Sequence, residues 1–241
     1  MGLKLLVSVV DVDEARLAAE AGADIVDVKN PAEGSLGAPS PAVIAGVRAA
    51  VPDDLPVSAA IGDMPNLPGT AALAALGAAH SGATFVKVGL WGASTEADAI
   101  ALLRTVREAA PDAMVVAGAY ADARRVPHAP LAPELLPRVA RAAGVEVCLL
   151  DTAIKDGRGL LDWLSEQALT ALVDEAHELG LEVALAGALR AEDLPVVGAT
   201  GADIVGVRSA ACAAGRRTGP LDPARVRALR AAYTATPRAS R

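Results

Sequence analysis

Four segments of the chain repeat one pattern: a glycine, then a short β-branched run that ends in polar or charged side chains. They are Ala21-Gly-Ala-Asp-Ile-Val-Asp-Val-Lys29, Ser81-Gly-Ala-Thr-Phe-Val-Lys-Val-Gly89, Ala143-Gly-Val-Glu-Val-Cys-Leu-Leu-Asp151 and Thr200-Gly-Ala-Asp-Ile-Val-Gly-Val-Arg208. Their glycines, Gly22, Gly82, Gly144 and Gly201, lie 60, 62 and 57 residues apart. Each glycine stops a helix, and the run after it reads as a strand. Four further strand candidates, Lys4–Val9, Pro56–Ile61, Ala113–Gly118 and Glu182–Gly187, fall between them. Eight strands spaced by roughly 30 residues have the period of a βαβ unit.

The intervening segments have helical patterning. They are Asp13–Ala21, Pro41–Ala50, Thr70–His80, Thr95–Ala109, Pro133–Ala142, Leu169–Leu179, Ala191–Val197 and Asp222–Tyr233, with Ser40 as an N-cap before Pro41. Strict alternation over 241 residues predicts one domain spanning 1–241, an α/β (β/α)8 TIM barrel. The alternative, an open doubly wound sheet, usually carries a Gly-rich turn after its first strand. Here that turn is Val9-Val-Asp-Val-Asp13, without glycine. From about Thr234 the chain reads as a frayed tail.

Hydrophobic residues make up 53% of the chain but aromatic ones only 2%, so the core must be aliphatic, as buried parallel strands require. So few aromatics exclude a base-stacking surface, and a net charge of -7 excludes a basic field for nucleic acid or an anionic membrane. No stretch predicts a membrane span, and Met1–Val10 reads as a first strand and not as a leader, so a cytoplasmic location is expected. Cys148 and Cys212 have no ligand-like spacing, and neither a metal site nor a cofactor is expected. Self-association into a homo-oligomer is left open.

Barrel enzymes place their chemistry where the strands end. The chain has four lysines, and three of them, Lys29, Lys87 and Lys155, fall at or just beyond expected strand ends. Asp27 shares a strand face with Lys29, and Asp151 ends the sixth strand. Buried lysines need partners or must give up their charge. A neutral amine attacks a carbonyl to form a Schiff base, and carboxylates nearby can move the protons. Lys29 is the candidate amine, with Asp27 the nearest proton partner in sequence; the bland reading makes Lys29 and Lys87 structural ion-pair partners of Asp27 and Asp151. Gly187 after strand seven, and Gly206, Arg208 and Ser209 around the end of strand eight, suggest a phosphate site. Gly34, Ser35 and Gly37 give the loop after strand two a mobile or anion-contacting composition. His80, His128 and His177 are isolated.

The segments Asp27–Ala38, Ser58–Asp63, Phe85–Gly92, Leu150–Gly157 and Gly206–Cys212 together resemble one family, the (5-formylfuran-3-yl)methyl phosphate synthases of methanofuran biosynthesis. Asp-Val-Lys-Asn-Pro at 27–31 and Asp-Thr-Ala-Ile-Lys-Asp-Gly at 151–157 are its specific motifs. The resemblance implies a (β/α)8 barrel that condenses two glyceraldehyde 3-phosphate molecules, releasing phosphate and water. It implies Lys29 as the Schiff-base lysine, with Asp27, Lys87, Asp151 and Lys155 as the other active-site positions. Ser209 stands where the family has glycine. Two rival readings remain: another Schiff-base aldolase acting on a phosphorylated triose, and a non-catalytic barrel that binds a phosphometabolite.

Overall fold

The structure is a computed structural model that describes residues 2–234. Its strands are β1 (Lys4–Val9), β2 (Ile25–Val28), β3 (Val57–Asp63), β4 (Phe85–Gly89), β5 (Met114–Tyr120), β6 (Val147–Asp151), β7 (Glu182–Leu185) and β8 (Ile204–Val207). Its helices are α1 (Val12–Glu20), α2 (Pro41–Ala50), α3 (Pro68–His80), α4 (Glu96–Ala109), α5 (Leu136–Ala143), α6 (Glu166–Glu178), α7 (Leu194–Ala199) and α8 (Pro223–Thr234). The strands pair in parallel in chain order, and β8 closes on β1, so the expected TIM barrel is the observed fold. The expected tail lies, from residue 235 on, outside the described residues. No helix among the described residues is long and apolar enough to cross a membrane.

Alternation along each strand splits the aliphatic residues into two cores. Leu5, Val7, Val26, Val86, Leu150 and Val205 face outward against helical residues such as Ala15, Ala75, Leu102 and Leu169. Leu6, Ile25, Val116, Val147, Leu149 and Ile204 face the lumen. Ser40 caps α2 as expected, and the Asp11 carboxylate caps α1 by accepting the Glu14 N–H at 2.9 Å.

The elements differ from expectation mainly at their ends. β3 and β5 run two residues further, to Asp63 and Tyr120, whereas β7 stops at Leu185 and leaves Gly187 in the loop. The helix expected from Pro133 opens with a 3-10 turn, Pro133–Leu135, and becomes α-helical only where Pro137 can occupy its first turn. A similar 3-10 turn, Ala191–Asp193, precedes α7.

The seam between β8 and the first βα unit is held by a buried ion pair. Arg208, just after β8, meets Glu14 on α1: Nη2 lies 3.2 Å from Oε1, and Nη1 contacts Oε2. The guanidinium also donates to the carbonyls of Ser8 at 3.0 Å, Gly219 at 3.0 Å and Arg217 at 2.9 Å. Glu14 accepts the N–H groups of Val10 and Leu221, both at 3.0 Å. Removing one partner would strand the other charge in a low-dielectric site. Glu14→Ala is therefore expected to lower the unfolding free energy by roughly 3–5 kcal/mol. Urea unfolding checks this, and an unchanged midpoint would refute the latch.

Candidate active site

The strand period places the three lysines. Ile25 and Asp27 face the lumen from β2, and Lys29, one step beyond the strand, continues that face. Lys87 faces inward from β4, and Asp151 from the last position of β6. Lys155 lies in the following loop and reaches back to Asp151. Lys29, Lys87 and Asp151 are buried, as is Asp27. Lys29, Lys87, Asp151 and Lys155 border a cavity of about 370 Å³ that opens at the C-terminal ends of the strands and is walled further down by Leu6, Ile25, Val116 and Ala184.

The charges pair across strands and not along them. Lys87 Nζ lies 2.6 Å from Asp27 Oδ1, off the line of an ideal hydrogen bond, while the Ser8 hydroxyl donates to Asp27 Oδ2 at 2.9 Å. Lys155 Nζ donates to Asp151 Oδ1 at 2.6 Å and to the Thr152 hydroxyl at 3.1 Å, and the Thr152 N–H donates to the same carboxylate at 2.7 Å. Burial alone would push both carboxyl groups up. The ammonium groups of Lys87 and Lys29 at Asp27, and of Lys155 and Lys29 at Asp151, overcome this and hold both below the usual aspartate value.

Lys29 is left over. Among the described residues its amine has neither an ion-pair partner nor a hydrogen bond. Burial and the positive charges of Lys87 and Lys155 lower its pKa to about 8, against the pull of Asp151 and, more weakly, Asp27. This corrects the pairing suggested by the sequence: Asp27 serves Lys87, and Asp151 is the carboxylate that acts most strongly on Lys29. Roughly a tenth of the amine is then neutral at pH 7, enough to make it a nucleophile.

The loop between β2 and α2 covers one side of the mouth. Asp63, at the end of β3, accepts the N–H groups of Ser35 at 2.7 Å and Leu36 at 3.2 Å, together with the Tyr120 hydroxyl at 2.6 Å. Burial and the Asp63 carboxylate push the Tyr120 phenol well up, so it stays a donor. The Ser35 hydroxyl donates to the Thr152 carbonyl at 2.8 Å. Leu36 enters the lumen over Gly118, where any side chain would meet it. Gly34, at φ +137°, has its Cα against the Asp63 carboxylate, a conformation and an approach that exclude a Cβ.

Gly187, Gly206, Arg208 and Ser209 all border the cavity on the side this loop leaves open. Arg208, however, commits all five N–H donors of its guanidinium to Glu14 and three carbonyls. A second arginine, Arg217, also borders the cavity, and it donates to the carbonyls of Pro31 at 3.1 Å, Gly34, and Ser35 at 3.4 Å. Sequence reasoning missed Arg217, because it sits in an irregular loop where no period assigns it a face. Only its position, between strand eight and the Gly219-Pro220 turn, pointed to the mouth.

A closed parallel barrel whose C-terminal mouth gathers two buried lysines, a half-buried third and two buried aspartates defines a (β/α)8 barrel with a charged site where barrel enzymes place theirs. A family model described as 4-HFC-P synthase matches residues 5–230. The chain belongs to the 4-HFC-P synthase family. It is 50% identical over 231 residues to the (5-formylfuran-3-yl)methyl phosphate synthase of Methanocaldococcus jannaschii, covering 94% of this chain and 97% of that one. It is 54% identical over 218 residues to the enzyme of the same name from Methanopyrus kandleri, covering 89% and 91%. Among solved structures it is similar to 3-hexulose-6-phosphate synthase from Salmonella typhimurium, with a TM-score of 0.66 and 17% identity over 96% of this chain and 99% of that one. It is also similar to phosphoribosyl anthranilate isomerase from Thermus thermophilus, with a TM-score of 0.62 and 18% identity over 96% and 98%. At such identities these two structures show the fold alone.

The lowered pKa of Lys29 is also a statement about stability. A fall from 10.5 to about 8 puts roughly 3 kcal/mol of strain into the charged folded form. That strain is fully present below about pH 8, where folded and unfolded chains both hold the proton. It is relieved as pH rises from about 8 to 10.5, where only the unfolded chain still holds it. Lys29→Met is therefore expected to raise the unfolding free energy at pH 7 by about 1–3 kcal/mol and to flatten the pH dependence above 8. Urea midpoints measured at pH 7 and 10 check both, and an unchanged profile would count against a strained amine.

Proposed function

We propose that the protein condenses two molecules of glyceraldehyde 3-phosphate to (5-formylfuran-3-yl)methyl phosphate, with release of phosphate and water, through a Schiff base on Lys29. The observation that carries this reading is the imbalance of the mouth. Two carboxylates hold two lysines, and the third amine is buried, without a partner among the described residues, its pKa lowered to about 8. Membership of the family, whose relatives bear the synthase name, supports the product.

In this scheme one triose phosphate presents a ketone after isomerisation in the same site. Lys29 adds to it and loses water, leaving an iminium that acidifies the adjacent carbon. Asp151, the charged group that acts most strongly on Lys29, forms the proton relay with Lys155, to which it is bonded, and Lys87, held by Asp27, supplies fixed positive charge for the oxyanions. The enamine attacks the aldehyde of the second triose. Loss of phosphate, hydrolysis of the Lys29 Schiff base that returns the free amine, ring closure and dehydration give the aromatic furan and draw the sequence forward. The phosphate that remains lies at the open side of the mouth, against the Gly187 loop, Gly206 on β8 and Ser209 just beyond it. Arg217 and Lys155 supply the charge there, and Arg208 holds the segment after β8 in place. The product serves methanofuran-type cofactor synthesis in the cytoplasm.

Incubation with glyceraldehyde 3-phosphate is expected to release inorganic phosphate in step with an ultraviolet furan absorbance. Release of an aldol product without that chromophore would instead favour another Schiff-base aldolase. Borohydride added during turnover should leave a substrate-derived mass on Lys29, and normal turnover with Lys29 unmodified would sink the assignment. Lys29→Met should lower kcat roughly a thousandfold or more, about 4 kcal/mol of lost transition-state stabilisation. Wild-type kcat/KM should rise with pH through about 8 as the amine loses its proton.

A further inference from the structure

Below the lysines the cavity changes character. Its lower wall is formed by Leu6, Ile25, Val116, Leu149 and Ala184, and the short side chain of Ala186 lies against Gly206 above them. One polar group interrupts this apolar wall. Ser58, on β3, is 1% exposed, borders the cavity, and its hydroxyl has no hydrogen-bond partner among the described residues. Its row is set by the strand register. Ser58 lies opposite Asp27 on β2 and opposite Phe85 on β4, two residues before Lys87. It therefore stands level with Asp27 and one step deeper than Lys87.

The contrast with Ser8 is informative. Ser8 lies opposite Asp27 on the other flank and donates to that carboxylate at 2.9 Å, so its hydroxyl is accounted for by the ion-pair network. The Ser58 hydroxyl takes no part in that network. A buried hydroxyl without a protein partner is a net cost to the fold, and alanine would fit the same strand position without that cost. A polar atom placed this way in the wall of a cavity is suited to a ligand.

We propose that the lumen around Ser58 is a subsite for the uncharged, oxygen-bearing end of the ligand, and that Ser58 donates a hydrogen bond to a carbonyl oxygen there. This rests on the proposed furan-forming reaction, and it adds the direction in which the ligand lies. The mouth carries the cations Lys155 and Arg217, whereas the deep wall carries none. A phosphate dianion in the deep wall would lose its water and gain a single hydroxyl, so phosphate belongs at the mouth. A flat, weakly polar furan ring suits the apolar walls, and its formyl oxygen is an acceptor for Ser58. Ser58 on this view is a specificity residue: it distinguishes a carbonyl-bearing ring from the same ring without the oxygen.

Two small probes without phosphate and without an aldehyde or ketone that could form a Schiff base test this. Methyl furan-2-carboxylate offers a carbonyl acceptor, and 2-methylfuran offers none. Binding of each to the full chain is measured by ligand-observed NMR titration for wild type and Ser58→Ala. Wild type is expected to bind the carbonyl probe about tenfold more tightly than 2-methylfuran. Ser58→Ala should bind 2-methylfuran as wild type does, lose the tenfold preference, and unfold at the same or a higher temperature. A preference retained in Ser58→Ala would overturn the proposal, as would the absence of measurable binding of the carbonyl probe to wild type. Neither probe requires turnover. A protein that forms no furan from triose phosphate would thus fail the proposed reaction while still reporting on Ser58, and a protein that turns over normally with no effect at Ser58 would fail only the subsite.

Discussion

The Asp27–Lys87 contact at 2.6 Å sets the conditions for everything around it. An aspartate on a fully buried strand would be protonated unless a cation faced it, and an ammonium in the same place would shed its proton unless an anion faced it. The Lys87 charge holds the Asp27 carboxyl below its usual value, and Ser8 takes up the second carboxylate oxygen. With Asp27 engaged, its attraction for Lys29 is weaker than that of Asp151, and the Lys87 charge works against protonation of Lys29. Asp151 is in turn engaged by Lys155 and the Thr152 N–H. The lowered pKa of Lys29 thus comes first from its burial, and then from neighbours whose own charges are already committed to other partners.

The frame that keeps these charges in register is a second layer of polar contacts between distant segments. Glu14 and Arg208 join α1 to the end of β8 across 194 residues. Arg217 and Asp63 grip the β2–α2 loop from opposite sides through its backbone, and Ser35 ties it to β6. Backbone groups in such a loop need partners once buried, and here the site's own strand ends supply them. Leu36 then fills the lumen over Gly118, on the side away from Gly187 and Ser209. The space left for a ligand is the side that carries Lys29, Asp151 and Lys155.

The barrel was legible because its signals are local. The four repeated glycines all adopt positive φ, from +73° at Gly144 to +96° at Gly82, so each marks a helix end ahead of a strand. The β-branched runs after them follow the period of a buried parallel strand, and the lysines could be placed at strand ends by counting. Partner choice was not local. Asp27 and Lys29 share a face and are two residues apart, yet parallel pairing brings Asp27 closer to Lys87, 60 residues on. Arg208 looked like an anion ligand because it ends a strand, but its partner lies on the first helix, and nothing in either segment announces the other. Arg217 was hidden by the irregular turn that carries it.

Fold likeness to sugar-phosphate synthases and isomerases at 17–18% identity therefore says little about chemistry, since such barrels share the frame and differ at the strand ends. What distinguishes this chain is where polarity is allowed along the lumen. Moving inward, the wall passes from Arg217 and Lys155 to the unpaired Lys29, then to the neutralised Asp27–Lys87 pair, and last to aliphatic side chains. A ligand that carries phosphate at one end and becomes less polar at the other matches that order in one orientation only. In that orientation its central carbons lie beside Lys29. Under the proposed reaction the same gradient favours progress: each loss of phosphate or water makes the remaining molecule flatter and less polar, and so better suited to the deep wall than the trioses that entered.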